Sequence, residues 1–390
     1  MIENYNTIVI GLGAFGSASL YQLAKRGDNV LGIDQFAPPH SLGSSSGETR
    51  ITRQAIGEGA HYTPLALRSY EIFRDLERQT NQELLLVTGG LMLSSSGSGG
   101  VHQVEDFYGN MLQAAKQFDI RHDLLEAADI RRRFPQFTVQ DFERAYFEYE
   151  SGVLYADRCI EVQLGLAEQL GAQIHKNEKV LSVAPQGDGV RVVSDRGEYY
   201  GQQVVLSAGP WLVDLIGPEL AKLFEVHRQV LFWFDVKNCY DSFVPGKFPV
   251  FIWELPGARQ SMYGFPALNG PAGGFKIGSA EYNEVVSAEG LNRQISLAEI
   301  DTIFERQVKP FFPQSVGPCC KSHVCLYTNT PDSAFLIDRL PGEPAIIICS
   351  PCSGHGFKHS AAIGESIAQL VLDGKAALDL SPFELGRLIS

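Results

Sequence analysis

Thr7-Ile8-Val9-Ile10-Gly11-Leu12-Gly13-Ala14-Phe15-Gly16 is the stretch on which the fold turns. Residues 7–10 form a short apolar run of the kind buried in a parallel sheet. Three glycines follow at once, and residues 17–25 then offer Ala18, Leu20, Tyr21, Leu23 and Ala24 as the packing positions of a helix. Gly27 stops that helix, and residues 29–33 read as a second strand closed by Asp34. The three glycines do different things. Gly11 permits a tight turn, Gly13 lets the backbone approach a pyrophosphate, and Gly16 lets helix and strand pack closely. The start of the helix presents free N–H groups and the positive end of its dipole to phosphates. Asp34, 18 residues after Gly16, stands where a carboxylate accepts the ribose hydroxyls. A glycine-rich turn alone is a weak signal. Strand, glycines, helix, strand and acid in order within one βαβ unit identify a dinucleotide site. An acid at Asp34 disfavours a 2′-phosphate, which argues against NADP and leaves FAD and NAD open.

The chain around this unit has 390 residues, 44% hydrophobic and 20% charged, enough for about two domains with a large core. A net charge of −13 argues against nucleic acid or an anionic membrane as partner, since polyanions would be repelled. No apolar stretch approaches the roughly 20 residues needed to span a bilayer. The start, Met1-Ile2-Glu3-Asn4-Tyr5-Asn6, has no charged leader and no cleavage site, and the seven cysteines are odd in number and scattered. Both features lead us to expect a cytoplasmic protein. Cys349-Ser350-Pro351-Cys352 has the spacing of a redox dithiol, but nothing around it reads as a thioredoxin fold. A metal site would need more ligands than His355 supplies, so we expect no metal.

Nucleotide-domain elements recur far beyond residue 34. A polar loop spans residues 38–50, and residues 64–79 read as an amphipathic helix with Leu65, Ser69, Ile72, Phe73 and Leu76 on one face. Residues 88–93 read as a strand carrying a glycine pair, and 158–170 as another amphipathic helix. A strand at 173–175, a hairpin at 190–193 and 198–200, and an apolar strand at 204–211 that ends in small residues follow. Late in the chain, 345–349 is one more buried strand before Ser353-Gly354-His355-Gly356-Phe357-Lys358 and a helix from about 360. A simple NAD dehydrogenase completes its nucleotide domain in one stretch, and this chain does not.

Several loop motifs are more specific than any core pattern. They are Gly47-Glu48-Thr49-Arg50 with Arg53, Gly57-Glu58-Gly59, Tyr62-x-Pro64-Leu65-Ala66-Leu67-Arg68, Tyr263-Gly264-Phe265-Pro266, Val324-Cys325-Leu326-Tyr327-Thr328 and 353–358. In these the chain resembles the monomeric sarcosine oxidase family of amine-oxidising flavoproteins, which includes N-methyltryptophan oxidase. The matches run from the first strand almost to the C-terminus. The resemblance implies an α/β (mixed α+β) fold. Its discontinuous FAD domain would take residues 1–90, 151–215 and 325–390, and a substrate domain with a mixed sheet would take 91–150 and 216–324.

The resemblance also implies roles. Gly11, Gly13, Gly16, Asp34, Ser44, Arg50, Gly354, Gly356 and Lys358 would line the FAD, and Cys325 would be bonded to the 8α-methyl carbon of the flavin. A cysteine in an apolar strand is by itself most often a buried hydrophobe; the motif is what points to a covalent link. Lys276, in Gly274-Phe275-Lys276-Ile277-Gly278, would lie over the ring and favour superoxide as oxygen takes its first electron. Arg53 and Lys358 would clamp a substrate carboxylate, Arg as a fork and Lys as a point charge. Arg50 would lie against the flavin, with Tyr263 and Tyr327 facing the amine. Cys319 and Cys320 are read as structural or surface residues.

Two departures from the family pattern bear on substrate choice. Sarcosine oxidases of the family carry histidines where this chain has Ser46 and Ala280. Both losses are expected to open or depolarise the pocket, towards a bulkier N-alkyl or a cyclic amino acid, and Met262, Trp253 and Cys352 are further candidates for shaping it. The expected reaction is oxidation of a small secondary amine, most simply an N-methyl amino acid, by oxygen, giving imine and hydrogen peroxide, in a monomeric enzyme. Two alternatives stay open: a flavin dehydrogenase that passes electrons to a carrier, and an NAD-dependent dehydrogenase.

Overall fold

The computed structural model describes residues 3–95, 101, 104–255, 261–279, 284–313 and 316–389. Ala280 lies outside them. Two eight-stranded sheets and a small three-stranded one organise the chain.

The first sheet is built on the opening βαβ unit. Strand Glu3–Ile10 runs parallel to Val30–Asp34 on one side and to Glu198–Leu206 on the other. Parallel strands Gln173–Lys176 and Glu343–Ser350 extend the sheet in the two directions, and antiparallel strands 180–186, 189–194 and 336–340 complete it. The helices Ala14–Lys25 and Ser360–Leu372 press together on one face; a Cβ at Gly364 would sit 2.5 Å from the Ala18 side chain. The 64–79 reading is realised as helix Thr63–Thr80, with Leu65, Ser69, Ile72, Phe73 and Leu76 all buried. Burying a side chain such as Phe73 stabilises the fold by about 1.5–3 kcal/mol.

One expectation in this region is corrected. Residues 198–200 and 204–211 are not two strands: Glu198–Leu206 is one continuous strand that ends at Leu206 and pairs with Glu3–Ile10 from Tyr199 to Leu206. The polar Gly201-Gln202-Gln203 interrupts the hydrophobic pattern without interrupting the backbone. Gln203 turns its amide to the carbonyl of Val371 at 2.9 Å, so the polar side chain is satisfied at the sheet's flank.

The second sheet is mixed and runs in the order Cys319–Asn329, Glu225–Phe234, Phe275–Ser279, Ser261–Phe265, Val250–Glu254, Gly90–Ser94, Arg144–Glu148, His122–Glu126. Its strand Cys319–Asn329 pairs with Glu225–Phe234 along its whole length, so this sheet continues past residue 325. The period of two along a strand sends alternate side chains to opposite faces. Phe275 and Ile277 join the aromatic core with Phe243, Phe248 and Phe312, which leaves Lys276 for the other face. Thr49–Thr52, Gly152–Tyr155 and Leu85–Val87 form the third sheet, which brings Arg50 and Arg53 beside the second.

Strands Glu3–Ile10, Glu198–Leu206 and Glu343–Ser350 are parallel neighbours, so their C-terminal ends share one edge. The chain leaves that edge at Gly11, Ser207 and Pro351. Ligands of open parallel sheets bind at such an edge.

Candidate active site

The turn after the first strand leaves no room for side chains. Gly11 has φ of +84°, and a Cβ there would lie 2.6 Å from the Cα of Ala208. At Gly16 a Cβ would be 1.8 Å from the carbonyl oxygen of Gly11. The helix that follows has Gly13 as its N-cap, with no side chain capping it, so its free N–H groups face an open cleft. Ala14 N–H reaches a nearby side chain, the hydroxyl of Ser45 at 3.2 Å. Asp34 accepts the N–H of Leu12 at 2.7 Å and that of Phe36 at 2.8 Å, which fixes the carboxylate at the cleft wall. Gly11, Gly13, Asp34 and Ser44 line this cleft of about 1040 Å³, together with Trp211 and Cys352. Gly16 lies beneath it, as a packing residue.

A second cavity, about 970 Å³, adjoins the first, and Ala14, Phe15, Ser44, Ser45 and Cys352 border both. The pair makes one elongated space with an anion-receiving cradle at one end. That shape and donor set fit a dinucleotide whose phosphates rest on the helix and whose ring system reaches the second cavity. Lys276, Arg50, Arg53, Tyr263, Cys325, Tyr327, Gly354, Gly356 and Lys358 all border that second cavity. Sequence-distant residues expected to act together are thus brought together.

Lys276 is buried, and its Nζ donates to Gly47 O at 2.8 Å, Thr49 O at 2.9 Å and Thr49 Oγ1 at 2.9 Å. It also sits 4.2 Å from the centre of the Phe265 ring. Burial, and next the charge of Arg50, push its pKa well below the ordinary lysine value. Two peptide carbonyls and a hydroxyl oppose that push, because an ammonium has three hydrogens to give and these acceptors take all three. Arg50 donates to the carbonyls of Thr49, Ser44 and Ser46 at 2.8, 2.6 and 2.6 Å. Residues 44–49 therefore wrap two cations with carbonyl oxygens of Ser44, Ser46, Gly47 and Thr49.

Across the cavity, the hydroxyls of Tyr263 and Tyr327 are 3.1 Å apart. Burial pushes Tyr263 up to about 12, so it stays a neutral hydroxyl near neutral pH. Cys325 is 1% exposed, and burial raises its thiol while Arg50 and Lys276 pull the other way. Lys358 is buried, donates to His355 O at 2.6 Å, and is pushed down by burial to about 7. Arg53, 2% exposed, donates to Ala55 O at 2.8 Å and is paired with the carboxylate of Glu58.

Some of this was not expected. Glu58, in the sequence only part of a motif, borders the cavity in direct contact with Arg53. At Ser46 the fold supplies a histidine after all: His323, from the strand of Cys325, places Nε2 at 2.8 Å from the Ser46 hydroxyl. Burial and the neighbouring Arg50 push His323 down to about 4, so it is neutral. Trp253 does not shape the cavity. Its ring is fully buried in the aromatic core, with Nε1 on the Glu143 carboxylate at 2.7 Å, whereas Met262 and Cys352 do border the cavity. Cys320 is exposed and Cys319 half-buried, away from the site. Among the described residues no group of three His, Cys, Asp or Glu side chains is placed to hold a metal, and no helix is long and apolar enough to cross a membrane.

Residues 6–370 match the family of FAD-dependent oxidoreductases. The chain belongs to that family. The dinucleotide is accordingly FAD, and the NAD alternative falls. Within the family, the chain is 36% identical over 389 residues to monomeric sarcosine oxidase of Streptomyces avermitilis, covering 100% of this chain and 99% of that protein. It is 34% identical over 389 residues to N-methyl-L-tryptophan oxidase of Shigella dysenteriae, covering 98% and 99%. The fold is also that of NikD, an unusual amino acid oxidase essential for nikkomycin biosynthesis, with a TM-score of 0.82 at 22% identity over 98% of this chain and 97% of that one. L-proline dehydrogenase from P. horikoshii shares it too, with a TM-score of 0.81 at 18% identity over 100% and 99%.

Proposed function

We propose that this family member oxidises the C–N bond of N-methyl or similar secondary amino acids, using oxygen and releasing hydrogen peroxide. The observation that carries the reading is the convergence of Arg53, Lys358 and Lys276 on one cavity that continues into the dinucleotide cradle. Gly11, Gly13, Gly16, Asp34 and Ser44 would hold the nucleotide end of FAD, with Arg50, Gly354, Gly356, Lys358 and Cys325 around the ring. Bound there, FAD supplies a two-electron acceptor for a hydride equivalent and a donor to oxygen.

The side chains divide the work. Arg53 and Lys358 face the cavity beside Glu58, and a substrate carboxylate would supply a further anion to these two buried cationic side chains. Tyr263 and Tyr327 offer hydroxyls to the amine, which must bind in its neutral form because its lone pair assists departure of the hydride. The substrate carbon is oxidised to an imine, and water then splits the imine to aldehyde or keto acid and amine. Lys276, with its three hydrogens directed to Gly47 and Thr49, would place a positive charge where oxygen is reduced, and a fixed charge of that kind stabilises developing negative charge. Cys325, buried beside the ring site, would carry the flavin through a thioether.

The same reading makes the enzyme a monomer of the cytoplasm. The relatives' name supports the first, and the seven cysteines, none of them joined in a disulfide, support the second.

Oxygen uptake and peroxide release by the purified flavoprotein, with a panel of N-methyl, cyclic and bulky amino acids, test the proposal. Peroxide equal to the oxygen consumed is expected with at least one N-alkyl amino acid. Oxidation that proceeds only with an added quinone would replace the oxidase reading by a dehydrogenase, and no oxidation of any panel member would overturn both.

A further inference from the structure

We propose that Glu148, which does not border the cavity, positions Arg53 for the substrate carboxylate; this rests on the reading of Arg53 as a carboxylate-binding residue. Glu148 ends the strand Arg144–Glu148 and is fully buried. Four donors converge on its two oxygens. Oε1 accepts the Gln54 N–H at 2.7 Å and the Ser151 hydroxyl at 2.8 Å. Oε2 accepts the Ala55 N–H at 3.0 Å and the Tyr146 hydroxyl at 3.2 Å.

Two of these donors are peptide N–H groups, which only donate. Each carboxylate oxygen must therefore be an acceptor for one of them, and the two successive peptides after Arg53 are pinned by a single side chain. The pinned peptide then aims the guanidinium: Nη1 of Arg53 donates back to Ala55 O at 2.8 Å. Ala55 is held at its N–H by Glu148 and at its carbonyl by Arg53. The other end of the guanidinium meets Glu58, and the ring of Phe107 lies 4.9 Å from its central carbon. The fork is thereby held at Ala55, at Glu58 and against Phe107. The loop that carries it joins the sheet of Lys276 only through Glu148 among the hydrogen bonds described for Gln54 and Ala55.

The chemistry of the contact selects the test. In Glu148→Gln the amide NH₂ cannot accept from a peptide N–H, so one of the two peptides loses its partner while shape and volume are kept. Tyr146→Phe removes a hydroxyl from the same carboxylate and leaves both peptide contacts in place. The readouts are the KM and kcat for an N-methyl amino acid and for its carboxamide, and the Kd of acetate from its effect on the flavin spectrum of the holoenzyme. Glu148→Gln is expected to raise the KM of the carboxylate substrate and the acetate Kd about tenfold, because ground-state binding is what is lost. Its kcat and its kinetics on the carboxamide should stay within about twofold of the parent, and Tyr146→Phe should change neither constant by more than that. Acetate bound as tightly by Glu148→Gln as by the parent overturns the proposal, and so does equal damage to carboxylate and carboxamide turnover. Glu148→Asp, which keeps the charge but cannot span both N–H groups, is the second variant and should share the defect. If neither variant accumulates as folded flavoprotein, the role is structural and the proposal falls. Arg53→Met separates the two levels: acetate binding unchanged in that variant would remove the carboxylate reading itself, whatever Glu148 does.

Discussion

Lys358 donates a 2.6 Å hydrogen bond to the carbonyl of His355, and both residues are buried in the wall of the second cavity. The contact leaves the lysine in a dry environment with Glu58 as the acid that favours its charge and Arg53 as the cation that opposes it. Burial dominates, and the group is pushed down to about 7.

A pH dependence follows from that position. Below about 7 the free enzyme carries the charged ammonium, and above it the charge is lost. An anion prefers the charged form, so binding raises the pKa of Lys358, and affinity for a simple carboxylate falls as pH rises through about 7. Each further pH unit costs up to about tenfold. Acetate titrations of the holoenzyme from about pH 6 to about pH 9, followed by the flavin spectrum, check this. A flat profile, or one unchanged in Lys358→Met, would contradict it. Acetate is the useful probe because it has no amine whose own titration runs the other way.

Replacing Lys276 by methionine should separate the two halves of the reaction. The reoxidation rate by oxygen is expected to fall about 10²–10³-fold, the usual loss when one preorganised electrostatic donor is removed. Anaerobic reduction by substrate should change far less. Stopped-flow measurement of each half alone decides it; equal losses in both would mean that Lys276 serves mainly to hold residues 47–49.

Cys325→Ser should release the pigment. Acid-precipitated parent protein is expected to keep its yellow colour in the pellet, and the variant to give it up to the supernatant. Colour that stays in the variant pellet would place the attachment elsewhere, with Cys352, which borders both cavities, as the next thiol to test.

Gly16→Ala should fail to hold FAD. The added methyl would meet the Gly11 carbonyl oxygen at 1.8 Å, which is backbone and cannot swing away. Helix and strand must then part, at a cost of at least about 1–3 kcal/mol. Flavin content per chain and thermal unfolding of the purified variant measure the two consequences.

What the sequence revealed and what it hid divide along physical lines. The nucleotide cradle was legible because Gly11, Gly13, Gly16 and Asp34 lie within one local unit, where spacing alone encodes geometry. Lys276 and Cys325 were singled out only by the motifs shared with the family, since a lysine or a cysteine in an apolar strand carries no such signal by itself. Glu58 and Glu148 were not, since a buried acid looks like any surface charge until its partners are known, and those of Glu148 at Gln54 and Ala55 lie 94 and 93 residues away. The same applies to His323, whose partner Ser46 is 277 residues distant. Trp253 was misplaced for a related reason: strand period does not say which face of a two-sided buried sheet holds the core, and the acceptor at Glu143 is 110 residues off. The continuity of Glu198–Leu206 was masked by Gly201-Gln202-Gln203, where Gln202 is exposed and the Gln203 amide finds its partner outside the strand at Val371.

The most direct test of the proposed activity is to mix the holoenzyme with N-methyl amino acids in the absence of oxygen and watch its visible absorption. The yellow colour should be lost with at least one of them, then return when oxygen is admitted, with an equal amount of hydrogen peroxide formed. Colour that persists with every N-methyl and cyclic amino acid, in a protein whose FAD content is full, would contradict it.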